Sequence, residues 1–230
     1  MSGWNLSTLI DHTVLRPDAT KVEVLRLCEE AKANGFTVIF VPPCYIDEAV
    51  AAVAGTSIRV GIPIGFPLGG HSTQTKVAEA VDAVAHGAQV LDMVLNVSRL
   101  KSGDHDYVRN DIAEVVQATP RVEHKVILET CYLTQQEKRT ACHLVIEAGA
   151  DYVKTSTGFG AAGATVEDVR LLKETVAGRV KVKASGGIRD WKTTLAMLEA
   201  GADRIGTSAS LKILDEWRTA IHKQAQHHER

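Results

Sequence analysis

Short apolar runs alternate along the whole chain with longer segments in which apolar residues recur at helical spacing. The short runs have the length and the β-branched content of buried strands. Regular alternation of strands and helices predicts parallel strands joined by crossover helices. Eight runs are predicted as strands, at residues 9–15, 36–41, 58–66, 89–96, 124–130, 151–157, 180–186 and 204–208.

The longer segments are predicted as amphipathic helices, and the four clearest of them end in glycine. Glycine suits the left-handed conformation in which many helices end. The similar peptides EAGAD, which occurs twice, and AHGAQ stand just before strands and indicate a repeated helix-glycine-strand unit. These helices span residues 21–35, 72–87, 134–149 and 190–201.

Eight such units predict an α/β fold, a (β/α)8 TIM barrel that forms a single domain over residues 1–230, with a polar C-terminal tail from about residue 220. Chemistry in this fold is located at the carboxyl ends of the strands. An open doubly wound sheet is the alternative. It usually has fewer units and a phosphate loop after its first strand, where this chain has HTVLRPD.

Composition adds several exclusions. The 230 residues are 45% hydrophobic with a net charge of −2, so the chain can bury a large core but offers no basic surface for nucleic acid. No apolar stretch is long enough to cross a membrane, and the start, MSGWNLSTLID, does not resemble a signal peptide, so we expect a cytoplasmic protein. The four cysteines and nine histidines lack metal-ligand spacing, which predicts no metal site.

Charged residues occur within several predicted strands. Because side chains alternate between the two faces of a strand, Lys154 shares a face with Tyr152, and Lys183 lies opposite the valines of its strand. If those valines pack against the helices, the lysines point into the barrel. The same argument places Asp92, Lys125 and Glu129 in a charged barrel centre. Taken singly, each lysine could equally form an ion pair at the mouth of the barrel.

Two lysines on neighbouring strands beside a carboxylate form an arrangement that lowers the pKa of one amine. A free lysine, with a pKa of about 10.4, is neutral in only about one molecule in a few thousand at pH 7. A lysine whose pKa is lowered to about 7 can attack a carbonyl and form a Schiff base.

Glycine-bearing loops follow the last three predicted strands, at residues 156–163, 185–190 and 206–210. The loops after the seventh and eighth strands of a barrel are a frequent phosphate site. Arg189 could add positive charge there. The alternative is that these residues only form turns. The predicted phosphate cradle consists of Gly186, Gly187, Gly206 and Ser208, closed from strand six by Gly158.

Eight peptides occur in order between about residues 9 and 208: IDHTVLRPDAT, GFPLGG, LDMVLN, LKSGD, KVILETCYLT, VKTSTGFG, VKASGGIR and GTS. Together they resemble the deoxyribose-phosphate aldolase family, class I aldolases built on a (β/α)8 barrel. The resemblance implies a lyase of deoxyribose phosphate breakdown that reversibly cleaves 2-deoxy-D-ribose 5-phosphate to acetaldehyde and D-glyceraldehyde 3-phosphate. It also implies that neither a metal nor an organic cofactor takes part.

The resemblance also implies roles for single residues. Lys154 matches the lysine that forms the Schiff base, and Lys183 matches the second lysine that tunes it. Asp92 matches the aspartate that moves protons with a bound water.

Further matches lie in the first and fifth strands. Asp11 and Thr13 match polar residues that hold substrate hydroxyls or the water. Lys125 matches a further lysine of the polar centre.

Some positions depart from the family pattern. Relatives often have cysteine where Phe40 stands and a residue other than proline at Pro42, which changes the pocket wall. Ala209 stands where relatives often have a second serine, so one phosphate hydrogen bond is missing unless Ser210 replaces it. The last tyrosine is Tyr152, so no terminal tyrosine reaches the site.

Two other functions remain open. A transaldolase or a ketose-phosphate aldolase would use the same lysine chemistry with a ketone donor. A sugar-phosphate binding barrel would keep the phosphate loops without turnover. Trp191 and Trp217, predicted as exposed helix residues, would allow a homo-oligomer, a dimer or a tetramer, and no nucleic-acid or membrane partner is expected.

Overall fold

All eight predicted strands form, and they close into one parallel barrel in chain order. The computed structural model describes residues 5–228, and their side chains up to residue 222. β1 pairs with both β2 and β8, which closes the sheet and confirms the predicted TIM barrel over the open sheet. The strands are β1 (Ile10–Thr13), β2 (Val38–Phe40), β3 (Arg59–Ile64), β4 (Val90–Val94), β5 (Glu123–Ile127), β6 (Tyr152–Lys154), β7 (Lys181–Ser185) and β8 (Arg204–Thr207).

Helices follow the strands around the outside of the barrel. The four predicted helices form as α2, α4, α7 and α9 of the series below, and the glycine after each has a positive φ: Gly35, Gly87, Gly149 and Gly201. The helices are α1 (Leu6–Leu9), α2 (Lys21–Asn34), α3 (Ile46–Ala52), α4 (Thr73–Ala85), α5 (Val97–Lys101), α6 (His105–Ala118), α7 (Gln135–Glu147), α8 (Val166–Val176), α9 (Trp191–Glu199) and α10 (Ser210–His228).

Local sequence signals fix where helices begin. Thr20 accepts a hydrogen bond from the backbone N–H of Glu23, whose carboxylate accepts the backbone N–H of Thr20 in return. Thr134 and Glu137 form the same reciprocal pair at the start of α7. Each pair satisfies two donors that would otherwise lack a partner in the first turn of the helix.

The apolar core lies mainly between the strands and the helices. Val153, Val182 and Ala184 belong to this layer, as expected if the lysine-bearing face points inward. Inside the barrel a small separate cluster contains Phe40 with Val38 and Val90. Charged residues, among them Asp92, Lys125 and Lys183, are buried in the barrel as well.

One expectation about the surface changes in the structure. Trp191 and Trp217 are partly buried against the core rather than exposed, because α9 and α10 pack on each other. The segment predicted as a polar tail from about residue 220 continues α10 as far as His228, and residues 229 and 230 lie outside the described residues. Of the helices that the structure describes, none is both long and apolar enough to span a bilayer.

Candidate active site

Lys154 and Lys183 lie side by side in the barrel. They are direct register partners on β6 and β7, so their side chains leave the sheet on the same face and at the same level. Both are buried, with exposed fractions of 5% and 1%. The prediction of two lysines on neighbouring inward faces is confirmed.

Asp92 on β4 holds both ammonium groups. Its Oδ2 atom accepts hydrogen bonds from Nζ of Lys154 at 2.6 Å and from Nζ of Lys183 at 2.7 Å. Lys183 Nζ also lies 2.6 Å from Oδ2 of Asp11 on β1. Nε of Arg204 donates to the other oxygen of Asp11 at 2.6 Å. The buried charges therefore alternate in sign, which offsets much of the cost of removing them from water.

Lys125 lies deeper in the barrel than these ion pairs, further from the carboxyl ends of the strands. It is fully buried, and its Nζ is 2.6 Å from Oε1 of Glu123 but 3.7 Å from Oδ1 of Asp92. Its Nζ is 4.0 Å from Oδ2 of Asp11. Burial lowers the pKa of Lys125, and the carboxylates of Asp11, Asp92 and Glu123 oppose this shift.

The two neighbouring lysines titrate differently. The pKa of Lys154 is lowered to about 8: burial is the main cause, the positive charge of Lys183 adds to it, and Asp92 opposes the shift. Burial also disfavours the charged form of Lys183, but Asp11 and Asp92 together outweigh it and raise its pKa above the ordinary value. Lys154 is therefore the amine that becomes neutral near physiological pH, beside a lysine that stays charged.

The aspartates remain ionised. Burial alone would raise the pKa values of Asp11 and Asp92, but the surrounding lysines and, for Asp11, Arg204 hold both below the ordinary range. Asp92 is therefore a carboxylate, able to accept a proton.

Phe40 lies against the lysine cluster. Its ring centroid is 4.1 Å from Nζ of Lys183 and 5.7 Å from Nζ of Lys154, so the ring face favours the charged form of Lys183. The ring packs on Gly61 of β3, where an added Cβ would lie 2.6 Å from a ring carbon. Position 40 therefore gives the site an aromatic wall instead of a thiol.

A cavity of about 500 Å³ opens above the lysines at the carboxyl ends of the strands. Lys154 and Lys183 reach it from below. Asp11, Asp92 and Lys125 do not line it, since they lie deeper in the barrel. The predicted residues that do line the cavity are Thr13, Gly158, Gly186, Gly187, Gly206 and Ser208, together with Arg189.

The glycines of the predicted phosphate cradle have structural reasons to be glycine. Gly158, Gly186 and Gly187 have φ values of 88°, 87° and 78°, which disfavour residues with a side chain. Gly206 touches the stem of Lys183, because an added Cβ would lie 2.9 Å from its Cε. The backbone at these positions can therefore approach a ligand closely.

Ser210 does not take the place of the missing serine at Ala209. Its side chain is fully buried, and its hydroxyl donates to the carbonyl of Thr207 at 3.2 Å and lies 2.9 Å from Nδ1 of His12. Ser208, in contrast, is exposed in the cavity.

Three features of the site differ from the sequence reasoning or were missed by it. Glu129 does not join the charged centre, because its carboxylate bonds to Thr157 in the loop after β6. Arg204, the partner of Asp11, was missed, although its parity with Gly206 on β8 could have indicated that it points inward. His12 and Glu30 also line the cavity, and no sequence pattern had assigned them to the site.

Comparisons with known proteins agree with the geometry. A family model described as DeoC/LacD family aldolase matches residues 6–216. The deoxyribose-phosphate aldolase of Thermoanaerobacter sp. (strain X514) is 55% identical over 216 residues, covering 93% of this chain and 97% of that protein. The deoxyribose-phosphate aldolase of Thermococcus gammatolerans is 50% identical over 224 residues, covering 96% and 100%.

The solved structures include a similar barrel. Deoxyribose phosphate aldolase from Aeropyrum pernix, described as having a unique tetrameric structure, superposes with a TM-score of 0.87 at 32% identity. The superposition covers 94% of this chain and 92% of that one.

Proposed function

The chain belongs to the DeoC/LacD family of aldolases, and from that premise we propose that it is a deoxyribose-phosphate aldolase. Its substrate is then 2-deoxy-D-ribose 5-phosphate, which it cleaves reversibly to acetaldehyde and D-glyceraldehyde 3-phosphate. The observation that carries the proposal is Lys154, a buried amine with a pKa lowered to about 8, beneath a cavity rimmed by glycine loops.

Lys154 is the proposed nucleophile. Its neutral amine adds to the aldehyde carbon of the open-chain sugar, and the resulting carbinolamine loses water to give a protonated imine. Lys183 stays protonated beside it, and so keeps a larger fraction of Lys154 neutral.

Carbon–carbon cleavage then uses the imine as an electron sink. The electron pair of the bond between C2 and C3 moves towards the imine to form an enamine, while the C3 hydroxyl loses its proton and C3 becomes the aldehyde of glyceraldehyde 3-phosphate. Protonation of the enamine carbon and hydrolysis by water release acetaldehyde and restore Lys154. Asp92, whose Oδ2 is 2.6 Å from Lys154 Nζ, is the proposed group that moves these protons with a bound water.

The other predicted site residues fall into two groups, those that line the cavity and those that are buried below it. Gly158, Gly186, Gly187, Gly206 and Ser208 are proposed to bind the phosphate, since all five line the cavity. Thr13 also lines the cavity and is proposed to contact a substrate hydroxyl.

Asp11 and Lys125 are buried below the cavity, so we propose that they act through the charges of Lys183 and Asp92 rather than by touching the sugar. The proposed reaction uses no metal or organic cofactor.

The setting of the enzyme is also part of the proposal. We propose a cytoplasmic homo-oligomer, a dimer or a tetramer, supported by the tetramer described for the Aeropyrum pernix relative. Size-exclusion chromatography with light scattering measures the oligomeric state directly.

Borohydride reduction in the presence of acetaldehyde tests the central step. We expect peptide mass spectrometry to find an ethyl group on Lys154 in the wild type and no adduct in Lys154→Leu. Lys181→Leu, which removes an exposed lysine from β7, is the matched control and should still be labelled on Lys154. Absence of the adduct from a folded protein that still binds deoxyribose phosphate would favour the binding barrel. Trapping by a ketone donor but not by acetaldehyde would favour a ketose aldolase.

A further inference from the structure

Glu129 has an unusual backbone conformation at the end of β5. Its φ is 53° and its ψ is 64°, in the left-handed region that residues other than glycine, asparagine and aspartate rarely adopt. Its exposed fraction is only 3%. Strained residues persist where the surrounding structure holds them, and they concentrate at functional sites.

The carboxylate of Glu129 binds one residue of the neighbouring loop. The backbone N–H of Thr157 lies 3.3 Å from each carboxylate oxygen, and the hydroxyl of Thr157 donates to Oε2. The same hydroxyl accepts the backbone N–H of Phe159 at 3.0 Å. Burial raises the pKa of Glu129, and the Thr157 donors and Lys154 oppose this rise. Glu129 therefore connects the end of β5 to the loop after β6.

The loop is shaped to accept this carboxylate. Gly160 packs directly on it, because an added Cβ would lie 3.0 Å from Cδ of Glu129 and 3.0 Å from Sγ of Cys131. The left-handed backbone of Glu129 and the lack of a side chain at Gly160 thus both allow the carboxylate of Glu129 to pack against this loop.

The contact extends to the phosphate cradle through backbone atoms. Thr157 and Gly158 line the main cavity. A Cβ added to Gly186 would lie 3.0 Å from Cα of Gly163, 3.2 Å from Cβ of Ser156 and 3.6 Å from Cα of Gly158, so the loops after β6 and β7 are in close contact. Because Gly158 follows Thr157 directly in the chain, we expect a shift of Thr157 to move backbone atoms that lie against Gly186.

We propose that Glu129 is a positioning residue that holds the segment 157–160 in place, so that the cradle is formed before the phosphorylated sugar arrives. It sets the affinity for the phosphate end of the substrate and takes no part in forming the imine. This inference rests on the proposed aldolase function and adds to it a residue that discriminates phosphorylated from unphosphorylated sugars.

Glu129→Gln tests the proposal, because glutamine keeps the size of the side chain but has only one oxygen to accept both Thr157 donors. We expect KM for 2-deoxyribose 5-phosphate to rise about tenfold, the effect of one lost charge-assisted hydrogen bond. KM for unphosphorylated 2-deoxyribose and the rate of borohydride trapping by acetaldehyde at Lys154 should stay within about twofold, since neither uses the cradle. Glu147→Gln, at an exposed position of α7, is the matched control and should change none of these quantities.

Glu129→Gly separates positioning from stability. Glycine accepts the left-handed φ without strain, so the melting temperature should stay close to that of the wild type while KM for the phosphorylated sugar rises. An unchanged KM in both variants, or an equal loss for both sugars, would overturn the role of Glu129 and leave the aldolase function intact. Failure of the wild type to be trapped at Lys154 would instead overturn the aldolase function itself.

Discussion

Lys154 and Lys183, which are register partners on β6 and β7, bond to the same oxygen atom of one buried carboxylate, Oδ2 of Asp92. The shared oxygen keeps two amines close together without a large net charge. Because Asp11 gives Lys183 a second anionic partner, Lys183 retains its proton and Lys154 is the one that loses it. The asymmetry between two like residues is therefore set by the position of Asp11.

This asymmetry predicts the pH dependence of imine formation. In the wild type, the rate of borohydride trapping with acetaldehyde should rise with pH to a half-maximum at about pH 8, because only neutral Lys154 reacts. In Lys183→Leu the half-maximum should move up by about one to three units, since a neighbouring cation no longer disfavours the charged form. Lys183→Arg keeps the positive charge and should shift less. An unchanged profile in Lys183→Leu would show that Lys183 does not tune Lys154.

Asp92→Asn is expected to stop proton transfer while leaving the imine possible. Asparagine keeps the shape of the side chain but accepts no proton, so exchange of the acetaldehyde methyl hydrogens for deuterium should slow by about 10²- to 10⁴-fold. Loss of the negative charge also lowers the pKa of Lys154, so trapping at pH 7 should persist. Proton NMR in D₂O measures the exchange, and rapid exchange in the variant would remove Asp92 from the mechanism.

Asp11→Asn should destabilise the barrel in a pH-dependent way. The variant removes the buried carboxylate that pairs with Arg204 and one of the two carboxylates that pair with Lys183, at a cost of about 3–5 kcal/mol near pH 7. The pKa of Asp11 is depressed in the folded state, so the stabilisation is complete above about pH 4, the unfolded value, and is lost as pH falls below it. The difference in the free energy of unfolding between the wild type and Asp11→Asn should therefore become smaller at low pH.

Denaturant melts of the wild type and Asp11→Asn from pH 6 to pH 3 measure this gap. Asp215→Asn removes an exposed carboxylate from α10 and is the control, with an expected change below about 0.5 kcal/mol. A gap that is small at pH 6, or that widens on acidification, would contradict the buried ion pairs.

Comparing Gly186→Ala with Gly187→Ala distinguishes the effect of steric crowding in the phosphate cradle from the effect of backbone strain. Both positions have a positive φ, but only at Gly186 would the new Cβ crowd a neighbouring backbone, 3.0 Å from Cα of Gly163. We expect KM for 2-deoxyribose 5-phosphate to rise about tenfold or more in Gly186→Ala and less in Gly187→Ala, with KM for 2-deoxyribose nearly unchanged. Steady-state kinetics with both sugars checks the order, and equal losses for both sugars would argue against a phosphate site here.

The sequence by itself determined the elements of the barrel and the direction of its key side chains. Strand and helix periodicities are local, so the eight strands and the four clearest helices appear within a few residues of the predicted ranges. Alternation along β6 and β7 placed Lys154 and Lys183 on the inner face for the same reason, because side-chain direction follows the backbone of a single strand.

Only the tertiary structure decided which groups meet. Asp11 and Arg204 lie 193 positions apart and pair because β1 closes the barrel against β8. Parity placed Glu129 among the lysines, but its left-handed backbone turned the carboxylate towards Thr157 instead. The pKa of a buried amine depends on desolvation and on distances to charges from other strands, and neither quantity exists until the chain has folded.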